Sequence, residues 1–144
     1  MSRRICMMVS VGLVPLMAGC TGRLFPRPTS VTVNLVNHSD FAVEVDLYIS
    51  NEQDVPESIL VTLGEKIEFT VPAGETRTFT RDCDDLQAII ISDADLMVIG
   101  QIGPSADTDV LRDGTQFNCG DTIDFTFDHS PAIVDFAITT SVHS

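Results

Sequence analysis

Beyond Ser30 the chain alternates apolar and polar residues with a period of two. Val31, Val33 and Leu35 are separated by Thr32 and Asn34. Asn37 to Asp40 carries turn-forming residues, and Phe41, Val43, Val45, Leu47 and Ile49 then alternate with Glu44, Asp46 and Tyr48. Successive side chains of a strand point to opposite faces, so this pattern gives a β-strand with one wet face; helical spacing would mix the acids into the apolar stripe. Ile67, Phe69 and Val71 repeat the alternation, and Pro72-Ala73-Gly74-Glu75 turns the chain into a strand over 76–81. The segment LQAIIIS at 86–92 is apolar on both faces at its centre, as expected of an interior strand.

Asp93 to Asp95 reads as a tight turn, with a return strand over 96–102. Asp113-Gly114 is a hairpin signal between 110–112 and 115–118. Ile123, Phe125 and Phe127 alternate with Thr122, Asp124 and Thr126, and a last strand runs over about 133–142. The segment 56–64 fits a short strand and one turn of helix equally. About eight to ten short strands joined by turn-rich connections predict an all-β, antiparallel sandwich of immunoglobulin-like architecture over residues 31–144. Without a tryptophan, the antibody-type core is not expected.

The first twenty residues follow a different logic. Ser2, Arg3 and Arg4 precede an uncharged stretch from Ile5 to Met17, and Ala18, Gly19 and Cys20 close it. A cationic start, an apolar centre and a small-residue exit are the layout of an export signal. The apolar part is shorter than the ~20 residues of a spanning helix, and Gly12 and Pro15 weaken it as a helix.

These residues resemble the signal peptides of bacterial lipoproteins, in which a leucine-rich stretch ends in two small residues and a cysteine. Ala18, Gly19 and Cys20 match the last three positions; Met17 stands where leucine is usual, with Leu16 one place early. The resemblance implies a signal peptide over 1–19, diacylglyceryl attachment to the sulfur of Cys20, and Cys20 as the new N-terminus. Thr21, not being Asp, implies outer-membrane sorting in a cell with two membranes. Residues 20–30 then form the lipidated cysteine and a semi-extended tether containing Pro26 and Pro28, which spans some tens of Å at ~3 Å per residue.

Cysteine arithmetic follows from that resemblance. Cys6 leaves with the signal, Cys20 is acylated, and Cys83 and Cys119 remain as one pair in an oxidising compartment, where a disulfide is expected. If each short connection reverses the chain, four traversals separate these two cysteines and bring them to the same pole.

Charge narrows the partners. The chain has 8 Lys and Arg against 21 Asp and Glu; with Arg3 and Arg4 removed, the mature balance is 6 − 21 = −15. Such a surface repels nucleic acid and anionic headgroups. Membrane association is therefore expected through the N-terminal lipid, and the remaining partners are another envelope protein, a glycan or an ion. The same traversal count gathers Asp82, Asp84, Asp85, Asp107, Asp109 and Asp121 at the cysteine-bearing pole, a candidate calcium site because Ca²⁺ takes six to eight oxygen ligands. Solvated turn aspartates are the alternative, and DTDVLRDG lacks the EF-hand spacing.

No catalytic motif emerges. His38, His129 and His143 are scattered, with His38 and His129 placed in turns and read as surface residues. The sequence has no G-x-S-x-G elbow, H-E-x-x-H, phosphate-cradling loop or C-x-x-C. Asp128-His129-Ser130 carries triad residue types, but sequence neighbours rarely meet triad geometry. Asn37-His38-Ser39 matches a glycosylation acceptor and is explained by its turn. The sequence therefore points to a non-catalytic envelope lipoprotein acting as a binding or structural accessory. A calcium-dependent adhesion or carbohydrate-binding module is the alternative, and an enzyme using Asp107 and Asp109 as a carboxylate pair is the third reading.

Overall fold

A computed structural model describes residues 26–99, 101–133 and 135–144. Nine strands and one helix appear among them: β1 (Ser30–Asn37), β2 (Ala42–Ser50), α1 (Glu57–Leu63), β3 (Glu65–Val71), β4 (Thr76–Asp82), β5 (Ala88–Val98), β6 (Gln101–Ala106), β7 (Leu111–Arg112), β8 (Thr122–His129) and β9 (Phe136–His143). One sheet has the order β4-β1-β8-β9 and the other β3-β2-β5-β6, with β7 pairing β5 off that path. The all-β sandwich expected from the alternation is therefore present. Every strand pair is antiparallel but one: β1 and β8 run parallel, from Thr32 opposite Thr122 to Asn37 opposite Phe127.

The inward residues of both sheets form the main core. Val31, Val33, Leu35, Ile123, Phe125 and Phe127 from one sheet meet Val43, Val45, Leu47, Ile49, Ile89, Ile91, Ala94 and Leu96 from the other. Burying a side chain of this size contributes ~1.5–3 kcal/mol, so these alternating positions supply most of the drive for the two sheets to pack. Chain direction gives the sandwich two poles. Residues 26–29, the turn after β4, the segment 113–121 and the C-terminus share one pole; the β1–β2, β3–β4, β5–β6 and β8–β9 connections share the other.

Three expectations need correction. Asp93–Asp95 is not a turn: β5 runs through it to Val98, and the return strand is Gln101–Ala106. A bulge explains the misreading. The register with β2 shifts between Asp46 and Leu47, so Ser92 is an extra residue, and its hydroxyl donates to the Asp46 carbonyl at 3.3 Å. That inserted residue breaks the period of two, yet lets Ile89, Ile91, Ala94 and Leu96 all face the core.

Residues 115–118 do not form a strand. The Gly114 N–H donates to the Phe117 carbonyl at 2.8 Å, Gly114 has φ 70°, and the chain makes a compact turn that drives Phe117 into the core. The last strand starts at Phe136, because Ile133 sits in the preceding turn with φ 57°.

The ambiguous segment is the helix α1. Pro56 precedes it with its carbonyl accepting from Ile59 and Leu60, and Gly64 ends it by donating to the Leu60 carbonyl at 2.8 Å. A Cβ at Gly64 would stand 2.9 Å from the Ile49 carbonyl oxygen, so only glycine permits this return into β3. Leu60 packs with Val55, Ala88 and Ile90 on the outer face of the second sheet. That second small core explains why 86–92 is apolar on both faces: one side meets the other sheet and the other side meets α1.

Candidate functional site

The pole where the chain comes in is built around the Cys83–Cys119 disulfide, whose Cα atoms stand 5.5 Å apart. Parity brings the cysteines together. Because β5 is one long strand, the path between them crosses the sandwich twice and not four times; either even number returns Cys119 to the Cys83 end. Pro28 and Thr29 are fixed there too. The Cys83 N–H donates to the Thr29 carbonyl at 2.9 Å, and the Pro28 carbonyl oxygen lies 3.1 Å from the Cys119 sulfur. Gly120, at φ 99°, makes room for Pro28, whose Cβ would lie 2.6 Å from an added Cβ. Cys20 and the signal peptide expected over residues 1–19 lie outside the described residues.

The six aspartates expected at this pole divide. Asp84 and Asp85 occupy the turn after β4, just past Asp82, whose carbonyl accepts from the Asp85 and Leu86 N–H groups. Asp121 is buried and structural: its Oδ2 accepts from the Asn118 N–H at 2.7 Å, closing the turn that launches β8. Asp107 and Asp109 are elsewhere. They flank Thr108, whose N–H donates to the Ile91 carbonyl at 3.0 Å and whose Oγ1 accepts from the Ile91 N–H at 3.1 Å.

Both acids are exposed partway along β5, because that strand runs on to Val98 and does not end at Asp93. The proposed carboxylate pair is thus split by an inward-held threonine. Among the described residues no three His, Cys, Asp or Glu side chains gather where they would hold a metal. An open depression of ≈ 470 Å³ lies beside the disulfide, lined by Pro28, Thr29, Asp82, Cys83, Asp84 and Cys119. No buried, unpaired side-chain donor or acceptor exists among the described residues to define a ligand there.

The outer face of the second sheet carries its own acids. Lys66 Nζ stands 2.9 Å from Asp46 and 2.6 Å from Glu68, and these hydrogen bonds, Glu68 first, hold the ammonium above its ordinary range. Asp93, across the bulge, is pushed up by partial loss of hydration and then by the carboxylates of Asp95, Asp46 and Asp107, against a hydrogen bond from the Ala94 N–H.

The opposite pole holds a polar cluster that the sequence reading did not single out beyond its turn. Asn37 is fully buried. Its Nδ2 donates to the carbonyls of Phe41, Val71 and Pro72 at 2.8, 2.9 and 3.1 Å, and its Oδ1 accepts from the N–H and hydroxyl of Ser39. An amide so engaged is closed to glycosylation.

His129 is not a surface histidine: its side chain is 7% exposed and its ring lies 5.7 Å from that of Phe41. Nε2 accepts from the Asp40 N–H at 3.2 Å, so Nδ1 carries the proton it donates to the Ser130 carbonyl at 2.6 Å. The Ser130 hydroxyl instead accepts from Asp135 N–H, and no triad forms from Asp128, His129 and Ser130. His38 is exposed, and His143 pairs with Asp124 at 3.1 Å.

Neither a protein-family model nor a curated protein sequence matches the chain. Among solved structures it is similar to the T6SS lipoprotein TssJ1 from Pseudomonas aeruginosa, at 16% identity and a TM-score of 0.47, over 81% of this chain and 98% of that one. Likeness of that extent carries no argument about what this chain does.

Proposed function

We propose that the protein is an acylated envelope lipoprotein whose β-sandwich serves as a non-catalytic binding or structural accessory, outer-membrane attached in a cell with two membranes. The carrying observation is the Cys83–Cys119 disulfide. With that pair joined and Cys6 within the signal, Cys20 is the remaining cysteine, directly after Ala18 and Gly19. The bridge fits export into an oxidising compartment, and the leftover thiol fits lipid attachment.

Loops at the pole opposite the tether are the natural contact surface for another envelope protein or a glycan. Asn37 holds that pole in one shape, which suits recognition by a preorganised surface.

Intact mass spectrometry of the membrane-extracted protein tests the reading in one measurement. The expected mass lacks residues 1–19, gains the acyl groups on Cys20, and falls short by two hydrogens for the bridge. A mass with residues 1–19 retained and no lipid refutes it.

A further inference from the structure

Three large apolar side chains are exposed among the described residues: Ile59 at 44%, Leu63 at 77% and Ile99 at 90%. Two of them share one flank of α1. Residues four apart on a helix lie one above the other, so Ile59 and Leu63 make a continuous apolar strip. Leu60, beside that strip, is fully buried against Ala88 and Ile90. Rotating the strip inward would expose Leu60, so α1 is held with Ile59 and Leu63 outward.

Leu63, the C-terminal end of the strip, borders a depression whose lining includes Ile49, Ser50, Asn51, Gly64, Glu65 and Asp85, and so looks toward the end of β2 and the turn after β4. This is the pole where Pro28 and Thr29 are fixed by the disulfide turns.

We propose that Ile59 and Leu63 form an apolar foot that rests in the headgroup zone of a lipid bilayer beside the acyl anchor and fixes the orientation of the sandwich on the membrane. The inference depends on lipid attachment at Cys20. Its occupant follows from reach: nine residues separate Cys20 from Ser30, so at ~3 Å per residue this pole stands within about 30 Å of the lipid surface. Two side chains are too few to bring a protein to a membrane from solution. For a domain already tethered, contact is intramolecular, and a weak apolar contact is enough to bias its orientation. Glu57, Glu65 and Asp85 at the same pole favour a zwitterionic surface over an anionic one. The Asn37 pole is thereby turned away from the bilayer.

The chain contains no tryptophan, so one can be introduced as a depth probe. Leu63→Trp and, at the far pole, His38→Trp are made in the full-length acylated protein and reconstituted into phosphatidylcholine vesicles with plain or brominated acyl chains. Both positions are exposed, and unchanged melting curves verify the fold. The expected result is a blue-shifted Leu63→Trp emission, quenched at least twofold by bromine, with His38→Trp unaffected. Equal quenching of the two, high or low, in protein that floats with the vesicles overturns the foot and leaves the anchor standing. Protein that does not float refutes the anchor and the foot with it.

Discussion

The side-chain amide of Asn37 donates to the carbonyl of Val71 at 2.9 Å, joining the end of β1 in one sheet to the end of β3 in the other. The same nitrogen serves Phe41 and Pro72, so one residue closes two connections and locks the sheets together at that pole. Asn37→Ala strands these carbonyls and the Ser39 donors in a buried setting, with an expected loss of about 2–4 kcal/mol in denaturant unfolding. Asn37→Asp, which replaces the donor with a charged acceptor facing carbonyls, is expected to lose more. A change under 0.5 kcal/mol in either variant would remove the clamp from the account.

The disulfide closes a loop with a sequence separation of 36. Loop-closure entropy for that length corresponds to about 3–4 kcal/mol. Reduction, or the Cys83→Ser/Cys119→Ser double variant, should therefore lower the unfolding free energy obtained from denaturant curves by a matching amount. The fold itself is expected to persist, because the main core does not depend on the bridge. Loss of all β circular dichroism on reduction would contradict that division.

Gly120→Ala combines two penalties, a left-handed φ and a Cβ driven into Pro28. The expected cost is about 1–3 kcal/mol. Pro28→Gly in the same background relieves the clash and leaves the φ penalty, so partial rescue in thermal melts separates the two.

Asp93 sits above the usual carboxylate range for the reasons of hydration and neighbouring acids given above. Its folded pKa exceeds its unfolded value, so ionisation weakens the native state at neutral pH. That penalty fades as pH falls through the raised folded value and is gone below the unfolded one, where both states are protonated. Asp93→Asn is expected to melt slightly higher than the parent at pH 7, with the difference vanishing in acid. The effect is small because the residue remains exposed. A gap that widens on acidification would reverse the sign.

For calcium, the split of Asp107 and Asp109 from Asp82, Asp84 and Asp85 predicts melting curves that coincide with and without chelator. A site held at a hundredfold excess over its dissociation constant would add about 2.7 kcal/mol. A chelator-sensitive midpoint would show that ligands assemble around the ion.

Strand identity was legible wherever one face is wet, as in β1, β2, β3 and β8, because alternation there is forced by the solvent. It failed at Ser92. A bulge and a turn both interrupt the alternation and both attract aspartate, so only pairing with β2 distinguishes them. Ala88 and Ile90 announced a second covered face, but nothing local said that α1 covers it. The Asn37 cluster was visible only as turn chemistry. Its importance comes from Val71 and Pro72, which are distant in sequence and meet it only once both sheets exist.

The parallel pairing of β1 with β8 has a temporal consequence. The leading strand of the domain has one neighbour, β4, whose partner residues arrive 40 to 52 residues later, and another, β8, whose partner residues arrive 90 residues later. Non-local pairing of this kind slows folding, because the intervening chain must be ordered before the ladder can close. During synthesis this leading strand stays half-matched until nearly the whole sandwich has followed it, and its apolar stripe needs shelter for that interval.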